Sequence, residues 1–154
     1  METKFIPMCE SLLSVDELRR EVSEAALEAY RFYRIGVKDD TEQLKSELLQ
    51  RLKLHLSDYI LIRYRGQTAG FYCFYSDNDK MQLSDLYICP EYRSYGLDKI
   101  ALQRCISSTE LPIHVVLYDM DVFSVSLFAN TGFRRLQQLS SSTSLWIYDN
   151  TDPF

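Results

Sequence analysis

Residues 83–99 read LSDLYICPEYRSYGLDK, and the architecture can be inferred outward from this segment. Its first part belongs to a run from Met81 to Cys89 that is rich in strand-favouring residues and ends at Pro90. Its last part opens a helix predicted over Gly96 to Ser107, with Ile100, Ala101, Leu102 and Cys105 available for burial. The segment therefore predicts a strand, a short loop containing arginine and glycine, and a helix.

The loop from Arg93 to Lys99 has the features of a phosphate site. The first turn of a helix presents unpaired N–H groups and the positive end of the helix dipole, and both attract anions. Gly96 permits close approach of the backbone, and the Arg93 and Lys99 side chains could add charge-assisted contacts. From the motif alone, an ordinary strand-to-helix turn that binds no phosphate is the alternative interpretation.

The composition indicates one globular domain spanning residues 1–154. The chain has 154 residues, of which 46% are hydrophobic and 25% charged, a size at which one core is expected. Its formal net charge of −5 argues against general attraction to nucleic acid or to anionic membranes, because both favour basic surfaces. A neutral or cationic partner is easier to accommodate.

The chain is expected to be soluble and cytoplasmic, because no apolar run approaches the length of a membrane span and Met1–Lys4 does not open a signal segment. Four cysteines, Cys9, Cys73, Cys89 and Cys105, lie far apart without a C-x-x-C pair. The spacing predicts buried reduced thiols, with no metal site and no disulfide framework.

The remaining elements are predicted from periodicity and caps. After a short strand at Phe5-Ile6, a first helix is expected from Ser14, which stands at capping-box spacing from Glu17, to Gly36. A second helix is expected from Asp40 or Thr41 to about Leu56. The later elements are strands at Tyr59–Tyr64, Thr68–Tyr75, Met81–Cys89 and Ile113–Tyr118, a helix at Val122–Asn130, and a closing hairpin of Phe133–Leu139 with Thr143–Tyr148.

The loop resembles the coenzyme A site of GNAT-type N-acetyltransferases, whose motif Q/R-x-x-G-x-G/A is matched at Arg93 and Gly96. That family also often shows N-x-x-A/S-x-x-x-Y-x-x-x-G-F, and the corresponding residues here are Asp121, Ser124, Phe128, Gly132 and Phe133. The resemblance implies an α/β fold: a twisted, mostly antiparallel mixed sheet of about seven strands with four helices on both faces. It also implies a wedge between the fourth and fifth strands.

The resemblance implies transfer of an acetyl group from acetyl-CoA to a primary amine by direct attack. Asp85 is the candidate general base, and Tyr118 or Ser126 could replace the family's tyrosine as the acid that protonates the leaving thiolate. The residues implied to bind the coenzyme are Tyr87, Ile88, Cys89, Arg93, Ser94, Tyr95, Gly96, Leu97, Asp98, Lys99, Asp121, Ser124 and Phe128. The acceptor would lie near Tyr30, Phe32, Tyr33, Asp39 and Asp40, and its identity stays open.

Two departures from the family pattern favour a second hypothesis. Phe128 has no hydroxyl to donate, and Asp98 replaces a small residue in the helix turn that would hold the diphosphate. The Asp98 carboxylate could compete with a bound anion or could point outward and pair with Lys99 or Arg93. The alternative function is therefore a catalytically weakened module that senses coenzyme A or binds a protein. Exposed sheet edges could also pair in a homodimer.

Overall fold

The computed structural model describes residues 3–7, 50 and 54–149, with the side chain of residue 56 excepted. The described strands are β1 (Thr3–Pro7), β2 (Tyr59–Tyr64), β3 (Gln67–Asp77), β4 (Lys80–Ile88), β5 (Ile113–Tyr118), β6 (Arg134–Gln138) and β7 (Thr143–Tyr148). The described helices are α1 (Leu97–Ser107) and α2 (Val122–Asn130), with 3-10 turns at Leu56–Asp58 and Pro90–Tyr95. Apart from residues 50 and 54–56 near the end of the second, the two predicted leading helices lie outside the described residues. The acceptor residues assigned to them and to the loop between them also lie outside.

The strands form one seven-stranded sheet in the order β1-β2-β3-β4-β5-β7-β6. β4 and β5 are parallel, whereas the pairs β1–β2, β2–β3, β5–β7 and β6–β7 are antiparallel. The expected mixed, mostly antiparallel sheet is confirmed. The chain divides into two compact units, residues 1–73 with 85–95 and residues 74–84 with 96–154.

The first unit is built on the antiparallel strands β1, β2 and the start of β3. Leu61 and Ile62 are both fully buried, so β2 buries both of its faces at the centre. Gly70 of β3 lies against the end of β4, because a Cβ there would stand 2.1 Å from the Tyr87 carbonyl oxygen. The absent side chain therefore allows the two strands to approach closely at Tyr87.

The second unit is built on β5, β7 and β6, with the start of β4 beside β5. The parallel ladder joins Met81, Gln82 and Leu83 to residues 113–115. The burial of β5 alternates, and its apolar residue Val116 is 44% exposed.

Helix α1 buries Leu97, Ala101, Leu102 and Cys105 on one face. Ile100, predicted to be available for burial, is instead exposed, because it falls on the other side of that helix.

The described cysteines are free thiols, with Cys73 and Cys105 buried and Cys89 half-buried, while Cys9 lies outside the described residues. Within the described part of the chain, none of the helices combines the length and apolar character required to cross a membrane.

Candidate active site

Asp85 lies in the first unit at an irregular point of β4. Its φ is +55°, in the left-handed region that residues other than glycine rarely adopt. The Tyr59 hydroxyl donates a hydrogen bond to Asp85 Oδ2 at 2.7 Å, and Tyr59 itself is only 1% exposed. The carboxylate is thus held by a buried phenol 26 positions earlier in the chain. No local pattern in the sequence marks Tyr59 as this partner.

The end of β4 carries the backbone groups predicted to hold a thioester. Tyr87 and Ile88 are buried, and Cys89 is half-buried. The Cys89 N–H donates to the Ala69 carbonyl oxygen at 2.7 Å, so this amide is already used in holding β4 to β3. Because successive N–H groups alternate along a strand, the Ile88 N–H points to the opposite edge of β4. Of these two amides, Ile88 has the better orientation for a ligand.

Arg93 is fixed by the end of the same strand. Its Nε donates to the Ile88 carbonyl oxygen at 2.9 Å, and its guanidinium carbon lies 5.7 Å from the centre of the Tyr87 ring. The C=O and N–H of one strand residue point to the same side, so the guanidinium lies on the edge to which the Ile88 N–H points. The sequence predicted a phosphate contact for Arg93 and did not predict its hydrogen bond to the Ile88 carbonyl at the end of β4.

The predicted loop contains a 3-10 turn over Pro90–Tyr95, opened by a hydrogen bond from the Tyr92 N–H to the Cys89 carbonyl oxygen at 2.9 Å. Tyr64 of β2 packs against this turn, with ring centres 4.9 Å from Tyr95 and 6.1 Å from Tyr92. Ser94 and Tyr95 are exposed. Three tyrosines therefore fix the turn that carries Arg93, and the sequence reasoning did not identify Tyr64 or Tyr92.

The start of α1 lies in the second unit. Gly96 precedes the helix with φ of +71°, a conformation that glycine adopts without the steric cost of a Cβ. Leu97 is fully buried and anchors the first turn, while Lys99 is exposed. The predicted helix and its glycine start are confirmed in position.

The structure resolves the orientation of Asp98. Its Oδ1 accepts a hydrogen bond from the Lys99 backbone N–H at 2.8 Å. Within the described residues it forms no ion pair with the Lys99 ammonium group. The carboxylate thus accepts a hydrogen bond from one of the N–H groups that have no partner within the helix and that a diphosphate would use. Its negative charge lies at the positive end of the helix dipole.

The residues of the second motif lie on α2 and its cap. Asp121 Oδ1 accepts from the Ser124 N–H at 3.2 Å, so Asp121 is the N-cap of α2, a role that asparagine serves equally well. Phe128 is 2% exposed and packs edge-to-face on Phe133, with ring centres 4.9 Å apart. Phe128 therefore lies in the core of this unit. Tyr118 lies just before the N-cap of α2, and its backbone carbonyl accepts a hydrogen bond from the Asp121 N–H at 3.0 Å.

A polar network next to Tyr118 was not identified from the sequence. The Ser144 hydroxyl donates to Asp119 Oδ1, and Gln138 Nε2 donates to Asp119 Oδ2 at 2.6 Å. These two hydrogen bonds hold the pKa of the Asp119 carboxyl below its ordinary value. The network ties the β5–α2 connection to the closing hairpin.

Neither a protein-family model nor a curated protein sequence matches this chain. Solved structures that are similar to this chain include several acetyltransferases. A GNAT-family acetyltransferase from Staphylococcus aureus superposes with a TM-score of 0.72 at 15% identity, covering 97% of this chain and 100% of that one. The PaiA N-acetyltransferase from Thermoplasma acidophilum, solved with coenzyme A, gives 0.67 at 17% identity over 97% and 99%.

An acetyltransferase from Thermus thermophilus gives a TM-score of 0.69 at 18% identity, covering 96% of both chains. At these identities the comparison establishes the architecture and not the activity. The chain has the fold of the GNAT-type N-acetyltransferases.

Proposed function

We propose that this protein transfers an acetyl group from acetyl-CoA to a primary amine. The amine nitrogen attacks the thioester carbon, an N–C bond forms, the C–S bond breaks, and the amine loses a proton to a carboxylate. The single observation that carries the proposal is Arg93-x-x-Gly96 placed between β4 and α1, with Gly96 left-handed at the helix start, in a fold shared with N-acetyltransferases.

In the first unit, the proposal gives Asp85 the role of general base. A carboxylate that accepts a proton must be held in place, and the hydrogen bond from Tyr59 supports this role. The Ile88 N–H would stabilise the oxyanion that forms on the thioester carbonyl, supported by its direction away from β3. Arg93 would supply positive charge beside it, supported by its fixed position on the Ile88 carbonyl.

In the second unit, the start of α1 would receive the diphosphate. Gly96 and the exposed Lys99 favour this role, and the Asp98 carboxylate opposes it. Tyr118 is the proposed acid for the thiolate, and Phe128 and Asp121 would shape the pantetheine site by packing and capping. The parting of β4 and β5 beyond the Leu83 pair stays a prediction.

The test is release of free thiol from acetyl-CoA across a panel of amines, corrected for hydrolysis without amine. The panel contains a polyamine, an amino sugar, an amino acid and a peptide amino terminus. An amine-dependent release that saturates supports the proposal. If no amine raises the release above the rate without protein, the proposed transfer is wrong.

The second candidate is a module that binds coenzyme A without turnover. One observation favours it: the buried Phe128 side chain has no proton to donate. Such a protein would bind acetyl-CoA in calorimetry but leave the thiol-release rate unchanged with every amine. The pair of measurements therefore separates the two functions.

A further inference from the structure

A basic depression lies in the first unit, and neither Asp85 nor Arg93 lines it. It is a cavity of about 430 Å³ lined by Lys4, Ile6, Arg63, Arg65 and Gly66. Among the described residues that line it, three are cations and none is an acid, although the whole chain carries a net charge of −5. We call this cavity the basic depression. Its volume falls in the range of sites for small molecules.

Two of these cations stand directly opposite each other. Lys4 of β1 pairs with Arg63 of β2 in the antiparallel register, which places their side chains on one face. Like charges in directly opposite positions destabilise a sheet. Within the described residues, neither side chain forms an ion pair with a carboxylate. The repulsion would be relieved by an anion between them.

The guanidinium groups of Arg63 and Arg65 are both held in position by contacts within the first unit. Arg63 Nη2 donates to the Gly66 carbonyl oxygen at 2.5 Å, and the Arg65 guanidinium carbon lies 5.2 Å from the centre of the Tyr64 ring. Each contact orients the group and leaves other N–H donors for a ligand. Donors that are already ordered lose less entropy when they bind.

Arg65 also occupies a backbone position that ordinarily favours other residues. The two-residue turn between β2 and β3 has φ of +53° at Arg65 and +80° at Gly66. Tight hairpin turns with positive φ at both positions prefer asparagine, aspartate or glycine. Arginine at this position is strained, and such strain clusters at binding sites.

We propose that the basic depression binds a small molecule bearing a phosphate group. The paired N–H donors of the Arg63 and Arg65 guanidinium groups match the geometry of phosphate oxygens, and Lys4 adds a positive charge. Ile6 offers an apolar contact to the remainder of the ligand. The net negative charge of the chain disfavours extended polyanions such as nucleic acid, so a small ligand is the better match. The proposal is independent of acetyl transfer.

The test is titration of the protein with inorganic phosphate at constant ionic strength, followed by amide NMR. The Gly66 amide is expected to shift in a saturable manner. Arg63→Gln should weaken the binding about tenfold, as loss of one charge-assisted contact does. Arg134→Gln, which removes an equal charge from β6 in the second unit, should leave the affinity unchanged.

Two results would overturn the proposal. The first is a Gly66 amide that does not move at about 10 mM phosphate. The second is equal weakening by Arg63→Gln and Arg134→Gln, because that pattern indicates diffuse attraction. If Arg63→Gln fails to fold, Lys4→Gln replaces it, since Lys4 is exposed.

Discussion

The Tyr59 hydroxyl donates to Asp85 Oδ2 at 2.7 Å, joining the first residue of β2 to the one residue of β4 at which φ is positive. Asp85 is thus both unusual in backbone and fixed in side chain. The proposed function gives this carboxylate the role of accepting a proton from a bound amine.

We expect Asp85→Asn to lower kcat by about a hundredfold or more, because the amide cannot accept the amine proton. Affinity for coenzyme A should stay within about a factor of two, since Asp85 is not assigned to the coenzyme. Asp79→Asn, in the exposed turn before β4, is the control with the same change of charge and should retain full activity. Equal kcat in wild type and Asp85→Asn would remove Asp85 from the mechanism.

Asp98→Gly is expected to raise the affinity for coenzyme A. The Asp98 carboxylate lies on the Lys99 N–H at the start of α1, where a like charge about 5 Å away opposes a phosphate by roughly 3 kcal/mol, or about two decades in Kd. Calorimetry with coenzyme A measures the change. Glu110→Gln, beyond the far end of α1, is the control. An unchanged Kd for Asp98→Gly would show that the diphosphate does not bind at this turn.

Gly70→Ala is expected to destabilise the protein by about 1–3 kcal/mol, as overpacking of a filled site does. The new Cβ would stand 2.1 Å from the Tyr87 carbonyl oxygen, so the backbone of β3 or β4 must move. Denaturant unfolding measures the loss. At Gly66, an alanine Cβ would meet nothing within 4 Å, and only the positive φ opposes it, at a cost of about 1–2 kcal/mol. A Gly70→Ala variant as stable as wild type would contradict the close approach of the strands.

The Asp119 network predicts a dependence of stability on pH. Hydrogen bonds from Ser144 and Gln138 lower the pKa of the Asp119 carboxyl in the folded state below 3.8. The unfolded chain therefore binds this proton more tightly, so the contribution of Asp119 to stability is complete above about pH 3.8 and is lost as the pH falls through the folded pKa.

The difference in unfolding free energy between wild type and Asp119→Asn should accordingly stay nearly constant from pH 6 to about 3.8 and shrink as the pH is lowered further. Unfolding by urea at a series of pH values measures this difference. A difference that stays constant over the range would show that the carboxylate gains nothing from its two donors.

Local signals predicted the elements from Tyr59 onward well. The bounds of β2, β5, α2 and β7 coincide with the predicted ranges, because strand-forming runs, helix caps and turn residues act between near neighbours. The start of α1 at Gly96 follows for the same reason. The mixed sheet that these elements form was expected from the resemblance to the family, because strand order depends on long-range pairing.

The side-chain contacts of the candidate site were predicted less well from the sequence. The Tyr59–Asp85 hydrogen bond spans 26 residues, and the packing of Tyr64 on Tyr95 joins a strand to a later turn. Such contacts depend on strand register and tertiary packing. The orientation of Asp98 was also left open, because its two alternatives differ by a side-chain rotation that the sequence does not specify.

The most direct measurement is calorimetric titration of the whole protein with acetyl-CoA. The account predicts saturable binding of one molecule per chain, with tighter binding in Asp98→Gly. Absence of any binding heat at about 1 mM acetyl-CoA, in wild type and in Asp98→Gly alike, would contradict the proposal that this fold serves a thioester carrier.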